Sequence, residues 1–401
     1  MHAAVHASAY LIAVAGIFVF ADTAVRHSCA VGNDGLSESQ SYSMKARSVL
    51  LRRLTKWHQK TRSSWCLGNR GACHNTTKHE CKVMKAKEIK NVGILGTGTI
   101  GSSWATFFAS KGMTVRMYDL DNSIHEKGVR KAKENLAALA EYGLMEKSML
   151  EGVMGKVLVA HDVAQIVEGA DYIQESVPEN YEAKKKVFSE LDSLASPDTV
   201  LASSSSGLLM SEIQGATKRP DRCLIAHPFN PPHLIPLVEL VPGRQTDLQL
   251  VADIKCFFEG LGKIPVVLQK EAPGHIANRL AAALWREAVE IVARGIASVE
   301  DVDKALYAGP GIRWALMGQH LIYHLGGGEG GYGYLIDHIG KSFGVVWKDM
   351  ATWTGIPDES KDMLVEGVKK SMGDKSFADI VQWRDKKIVE LIKVIYGDPN
   401  K

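Results

Sequence analysis

The chain has 401 residues, a formal net charge of +3 and six cysteines. That length provides for two or three domains with a hydrophobic core. An apolar share of 45% and a charged share of 23% exclude a globally disordered or collagen-like chain, and six cysteines are too few for a disulfide scaffold. The charge is unevenly spread. Residues 1–83 carry eleven Lys/Arg against four Asp/Glu, a surplus of +7, so the remainder carries −4. The basic surplus belongs to the leader and makes no case for a nucleic-acid partner.

In that leader, residues 9–20 (Ala9 to Phe20) form the only long apolar run. It is too short and too poorly flanked for a membrane helix, so no stable membrane association is expected. A secretory signal would open on a cationic stretch, but only His2 and His6 precede the run. Residues 26–83 are rich in Arg, Lys and Ser, poor in acids and without steady periodicity. They read as a disordered or non-native leader, with an organelle transit sequence as the alternative. Cys66, Cys73, His74, His79 and Cys81 are metal-ligand types, but their spacing matches neither a paired CxxC nor a CxxC…HxxxH site, so no metal is expected. Asn75-Thr76-Thr77 is a glycosylation acceptor only in a secreted chain. The functional protein is expected to begin at Met84.

From residue 91 the texture changes. Asn91 to Leu95 is a short apolar strand. It runs into Gly96-Thr97-Gly98-Thr99-Ile100-Gly101, then a helix from Ser102 to about Lys111, then a strand from Thr114 to Tyr118 that ends at Asp119. Strand, GxGxxG, helix, strand and acid in that order form a dinucleotide site. Gly96 allows the tight turn, Gly98 lets backbone amides approach a pyrophosphate, and Gly101 lets the helix pack close. Thr99 and Ile100 stand between those glycines as further cofactor-binding candidates, and the N-terminus of the helix supplies partial positive charge to the phosphates. Asp119, 23 residues after Gly96, is placed to accept the ribose hydroxyls. Asp121 follows and no Arg or Lys comes before Lys127, so a 2′-phosphate would meet carboxylates and NAD is favoured over NADP.

Further βα units follow. Asp171 to Gln174 is a strand leading to Glu175-Ser176-Val177-Pro178-Glu179-Asn180, and Tyr181 to Leu194 is a helix. Thr199 to Ala202 is a strand ending in Ser203 to Gly207. Leu224 to Ala226 is another, ending in His227-Pro228-Phe229-Asn230-Pro231-Pro232. Polar residues gather at the carboxyl ends of successive strands, where open α/β sheets build their sites. His227 stands where a strand stops and a turn begins. Glu239, twelve residues on, is embedded in Leu237-Val238-Glu239-Leu240-Val241. A carboxylate there is costly to bury unless paired. Paired with His227, it would fix the imidazole tautomer for proton exchange with a substrate hydroxyl. A purely structural His–Glu pair is the alternative.

After Lys270 the strand pattern ends. Ala272-Pro273-Gly274-His275 opens a long helix with Leu280, Leu284, Ala288, Ile291 and Val292 on its apolar side and Gly295 as its stop. Asn278 lies in its first turn, within reach of a ligand at the sheet edge. The remainder reads as mostly helical, broken by Gly309-Pro310-Gly311 and by residues 326–333.

From about residue 88 onward, these motifs resemble the L-3-hydroxyacyl-CoA dehydrogenase superfamily: Gly96–Gly101, Glu175–Asn180, Ser203–Ser206, His227–Pro231, Leu237–Glu239 and Pro273–Leu280. Gly311-Ile312-Arg313-Trp314 with Met317-Gly318 resembles the branch containing L-carnitine dehydrogenase and lambda-crystallin (L-gulonate 3-dehydrogenase). The resemblance implies a Rossmann-type doubly wound α/β domain over residues 84–270 and an all-helical substrate and dimerisation domain over 271–401, after the 1–83 leader. It implies His227 as general acid/base, Glu239 as its orienting partner, and Ser206 and Asn278 as hydrogen-bond partners of the reacting oxygen. Glu179, Lys184, Asn230 and Ser206 would line the nicotinamide half of the cofactor site.

Two departures bear on substrate. Where the acyl-CoA enzymes place a CoA-contacting Ser and Lys, this chain has Asn135 and Tyr142, which argues for a small free acid. Where the carnitine subgroup has Asp, this chain has Asn278. Arg313 and Trp314 are candidate contacts for the substrate's carboxylate or ammonium group. The expected activity is NAD-dependent oxidation of a small L-3-hydroxy acid, carnitine- or gulonate-like, by a cytoplasmic homodimer. The alternatives are a 3-hydroxyacyl-CoA dehydrogenase and a non-catalytic, crystallin-like NAD-binding protein. Cys223 and Cys256, the only cysteines after residue 83, suit a reducing compartment.

Overall fold

The computed structural model describes residues 89–397, which lie in a single compact unit spanning residues 82–401. The leader, its candidate metal ligands, Asn75 and the Met84 start lie outside the described residues. Among the described residues, no group of three or more His, Cys, Asp and Glu side chains could hold a metal ion. No described helix is long and apolar enough to cross a membrane.

The first half is built on an eight-stranded sheet. Its strands are β1 (Asn91–Leu95), β2 (Thr114–Tyr118), β3 (Val157–Val159), β4 (Tyr172–Glu175), β5 (Val200–Ser203), β6 (Cys223–Pro228), β7 (Leu237–Pro242) and β8 (Ile264–Val267). Their order across the sheet is β3-β2-β1-β4-β5-β6-β7-β8. All neighbours run parallel except β6 and β7. Strand order reverses between β1 and β4, so a crevice opens at their carboxyl ends.

Period-two alternation buries both faces. Val92, Ile94, Tyr172, Leu224 and Ala226 join one core cluster with Trp104, Phe108 and Phe258. Leu95, Ile173, Cys223 and Ile225 join the other with Ile166, Phe188 and Leu191. Successive strand side chains point to opposite faces, so continuous apolar runs mean helices on both sides. Those helices include α1 (Thr99–Ser110), α2 (Asn122–Glu141), α3 (Val163–Val167), α4 (Tyr181–Leu194) and α5 (Leu248–Gly260).

Beyond Val267 only helices follow, beginning with α6 (Ala277–Ala293) and α7 (Val299–Ala308) and ending with the helix Phe377–Tyr396. Gly295 has φ +66° and ends the α6 segment as the sequence indicates. Two of the boundaries that differ from the sequence reading bear on the site. Helix α1 starts at Thr99, directly after Gly98. Strand β6 continues through His227 to Pro228, because its antiparallel ladder with β7 pairs His227 with Glu239 and Pro228 with Val238. The sequence reading passed over the short edge strands β3 and β8, although both are apolar, Val157-Leu158-Val159 and Ile264-Pro265-Val266-Val267.

The apolar side of α6 is only partly covered within one chain. Val289 and Val292 are buried, but Leu280 is 68% exposed and Trp285 60%.

Candidate active site

The GxGxxG segment closes as its glycines require. Gly96 has φ +88°, and a Cβ there would come within 2.6 Å of the Ser176 carbonyl oxygen. At Gly101 a Cβ would meet the Gly96 carbonyl oxygen at 1.8 Å. Gly98 is different: nothing stands within 4 Å of where its Cβ would be. It is also the N-cap of α1 and offers no side-chain cap. The first-turn amides of Thr99, Ile100 and Gly101 therefore face an open cradle, which fits a dinucleotide pyrophosphate.

Asp119 follows β2. Its Oδ2 accepts from Thr97 N at 2.7 Å and its Oδ1 from Asp121 N at 3.2 Å, so it braces the glycine loop while keeping lone pairs for a ribose. Gly128 on α2 lets that helix pass closely. A Cβ there would lie 2.1 Å from the Thr97 carbonyl oxygen.

His227 and Glu239 sit directly across the β6–β7 ladder. Alternation puts both on the face shared by Ile225 and Val241. His227 Nδ1 donates to Glu239 Oε2 at 2.8 Å, with both side chains buried. The other carboxylate oxygen, Oε1, accepts the backbone amides of Ile276 (2.8 Å) and Ala277 (2.9 Å), at the start of α6. Burial pushes the Glu239 carboxyl up. The His227 hydrogen bond and the two amides outweigh that and hold it below the usual carboxylate range. A carboxylate so held keeps the proton on Nδ1 and leaves the lone pair at Nε2 of His227, the arrangement a general base needs.

The serine loop after β5 is held by two carboxylates. Glu175 is fully buried. Its Oε2 accepts from Ser203 Oγ at 2.6 Å, and its Oε1 from Val177 N at 2.6 Å and Lys184 Nζ at 2.8 Å. Glu179 Oε1 gathers Ser205 Oγ (2.7 Å), Ser206 N (2.8 Å) and Gly207 N (2.9 Å). Desolvation raises Glu179, but these donors and Lys184 bring it net below its usual value. Asn278 Nδ2 donates to the Ser206 carbonyl at 3.2 Å, so Ser206 and Asn278 come together from distant parts of the chain.

The loop after β6 is tied to α1. Ser103 Oγ lies 2.6 Å from His233 Nδ1 and accepts from His233 N at 3.0 Å. Lys263 Nζ donates to the carbonyls of Pro232 and Ile235 and stands 4.4 Å from the Phe107 ring centre. Burial first, then Lys111, brings the Lys263 ammonium down to about 7. These ties fix the loop that carries the exposed Asn230.

Three site candidates stand apart from this cluster. Lys184 is 1% exposed. Its ammonium is held by Glu175, the Val177 carbonyl and Glu179, and it acts from beneath Glu179. Arg313 and Trp314 lie exposed on the short helix Pro310–Trp314. Trp314 Nε1 donates to Gln319, and no hydrogen bond or ion pair among the described residues joins either residue to the His227 cluster. Sequence reasoning also passed over Glu175 and His275. Glu175 closes the strand Tyr172-Ile173-Gln174 and follows a polar residue, so it lacks the apolar flanks that mark Glu239.

Comparison with known proteins shows the family. The model of the 3-hydroxyacyl-CoA dehydrogenase NAD binding domain matches residues 91–272, and that of the C-terminal domain matches residues 274–366. The chain belongs to the 3-hydroxyacyl-CoA dehydrogenase family. It is an NAD-dependent oxidoreductase of that family. It is 37% identical to L-carnitine dehydrogenase of Streptomyces coelicolor over 77% of this chain and 95% of that one. It is 38% identical to 3-hydroxyacyl-CoA dehydrogenase of Gibberella moniliformis over 76% and 95%. Among solved structures, 5-formyl-3-hydroxy-2-methylpyridine-4-carboxylic acid 5-dehydrogenase superposes with a TM-score of 0.66 at 29% identity, covering 77% of this chain and 99% of that one.

Proposed function

We propose that this family member oxidises a small, free L-3-hydroxy acid, carnitine- or gulonate-like, to the 3-keto acid. The carrying observation is the buried His227–Glu239 pair, with Glu239 seated on the first amides of α6. His227 Nε2 takes the C3 hydroxyl proton while the C3 hydrogen leaves as hydride. The negative charge of Glu239 steadies the imidazolium that forms. Ser206 and Asn278 donate to the oxygen as it becomes a carbonyl. The Gly96–Gly101 loop and Asp119 would hold NAD, which would supply the hydride acceptor.

Three points support a free acid over a thioester. One is the similarity to proteins named L-carnitine dehydrogenase. Another is the similarity to a dehydrogenase named for a pyridine carboxylic acid. The third is the face of α2 where the resemblance sets CoA contacts. There Asn135 Nδ2 reaches Thr106 Oγ1 at 3.4 Å, and the Tyr142 carbonyl accepts Lys393 Nζ at 2.8 Å from the C-terminal helix. The relative named 3-hydroxyacyl-CoA dehydrogenase keeps the thioester as a second reading. The exposed apolar side chains Leu280 and Trp285 on α6 support a homodimer. The two thiols of the described chain, Cys223 and Cys256, support a cytoplasmic enzyme.

The deciding experiment measures NADH production with L-carnitine, L-gulonate, 3-hydroxybutyrate and 3-hydroxybutyryl-CoA in parallel, for the wild type and His227→Ala. A free acid oxidised by the wild type, with turnover lost and NAD binding kept in the variant, is the expected result. Preference for the thioester rejects the free-acid reading. Undiminished turnover in His227→Ala rejects the mechanism and leaves no catalytic role for the pair.

A further inference from the structure

His275 combines three observations that the reaction as described does not use. It is the one non-glycine residue among those described with a left-handed backbone, φ +53°, a conformation that costs a side-chain-bearing residue free energy and concentrates at functional sites. It is 2% exposed, and its Nδ1 is buried with no hydrogen-bond partner. Its ring meets the His227 ring edge-to-face, with centroids 5.1 Å apart. Its other nitrogen is engaged, since Nε2 lies 2.9 Å from the Ser205 carbonyl oxygen. A carbonyl only accepts, so Nε2 carries the proton and the ring is the neutral Nε2–H tautomer, with a bare lone pair at Nδ1.

We propose that His275 is a positioning residue, a neutral imidazole clamp that locks the serine loop against the acid/base histidine. The proposal rests on the reading of His227 as the acid/base above. Ser205 and Ser206 are held on one side by Glu179, through Ser205 Oγ and the Ser206 and Gly207 amides. On the other side they are held through two carbonyls, Ser205 by His275 and Ser206 by Asn278. The same ring packs on His227. One side chain therefore sets the spacing between the group that receives the proton and the groups that steady the oxygen.

The left-handed turn puts that ring there. Gly274 (φ +77°) and His275 reverse the chain just before Ile276 and Ala277 present their amides to Glu239. A neutral ring suits the position, because a second cation beside His227 would oppose formation of its imidazolium. The groups facing His275 are consistent with this. Burial and neighbouring His227 lower its pKa, against the Ser205 hydrogen bond, Glu239 and the Ala272 carbonyl, which raise it, and the balance is a lowered value.

The test compares His275→Phe, which keeps a flat ring and loses the donor, with His275→Gln, whose amide nitrogen reaches where Nε2 sits. L-Carnitine, with hydrogen or deuterium at C3, is the probe. Loss of one neutral hydrogen bond should lower kcat about tenfold in His275→Phe. NAD affinity should stay within about twofold of the wild type, and the deuterium isotope effect on kcat should grow, because hydride transfer becomes slower than product release. His275→Gln should recover most of the loss. A His275→Phe enzyme with wild-type kcat and an unchanged isotope effect overturns the proposal. So does a His275→Gln enzyme as impaired as His275→Phe.

Nitrogen-detected histidine NMR on the wild-type protein decides the matter even if neither variant folds. One ring must hold the Nε2–H tautomer and resist protonation on acidification. An Nδ1–H tautomer at His275 refutes the clamp. If L-carnitine is not oxidised, the substrate reading fails, while the tautomer measurement still decides the role of His275.

Discussion

Replacing Glu239 with Gln probes the pair without changing its shape. Three donors converge on the two carboxylate oxygens: His227 Nδ1 on Oε2, and the Ile276 and Ala277 amides on Oε1. No acceptor faces either oxygen among these partners, yet a glutamine must replace one oxygen with an NH2 donor. Turned towards α6, that NH2 would orphan two backbone amides at about 1–3 kcal/mol each. Turned towards His227, it orphans nothing if the imidazole moves its proton from Nδ1 to Nε2. The second arrangement costs less, and it removes the base.

Loss of a general base is worth about 10²–10⁴-fold. The expected fall in kcat/KM for Glu239→Gln is therefore about that size, with NAD affinity little changed because the dinucleotide cradle is built from other elements. Stability should respond to pH as well. The Glu239 carboxyl is held below its unfolded value, so its stabilising contribution is complete above the ordinary carboxylate pKa of about 4.3 and is lost as pH falls through the lowered value. The glutamine variant should lack that share of the acid sensitivity. The assays are kcat/KM against pH, NAD titration by fluorescence, and denaturation at several pH values. A Glu239→Gln enzyme within threefold of wild-type kcat/KM would refute the reasoning.

Other parts of the structure carry their own expectations. Gly128→Ala would place a Cβ 2.1 Å from the Thr97 carbonyl oxygen and push the glycine loop aside. At about 1–3 kcal/mol of overpacking, calorimetry should find NAD bound about tenfold more weakly, and unchanged affinity would show that the loop yields freely. Asp119→Ala removes the acceptor of Thr97 N and a ribose partner, and should weaken NAD by about 10–100-fold at 1.5–3 kcal/mol for a charged hydrogen bond. An unaltered dissociation constant would dismiss Asp119 as a cofactor residue. Arg222→Met leaves Asp192 buried without its 2.8 Å partner and should lower unfolding stability by about 3–5 kcal/mol, while kcat of the folded enzyme stays the same. Denaturant titration and activity at low temperature separate the two effects.

Much of the site could be read along the chain. The Gly96–Gly101 loop, Asp119 and the His227/Glu239 pair were identifiable because each depends on local chemistry: a turn only glycine can make, an acid at a strand end, a carboxylate in an apolar run. The reversal of strand order between β1 and β4, which opens the cofactor crevice, needed the assembled sheet. So did the fate of Lys184. A lysine in the first turn of an exposed-looking helix gives no hint that Glu175, nine positions earlier, will draw it fully inside.

Period and motif by themselves determined that the protein would be a dinucleotide-binding sheet followed by helices, with a histidine and a glutamate able to pair at the end of one of its strands. They could do so because side-chain alternation and glycine conformational freedom act over a few residues. Only the tertiary structure decided that Glu239 would rest on the amides of α6, that Ser206 and Asn278 would meet across 72 residues, and that His275 would close over His227. Those contacts join segments far apart in the chain, and their geometry is set by the register of the β6–β7 ladder and one left-handed turn, which composition and spacing do not encode.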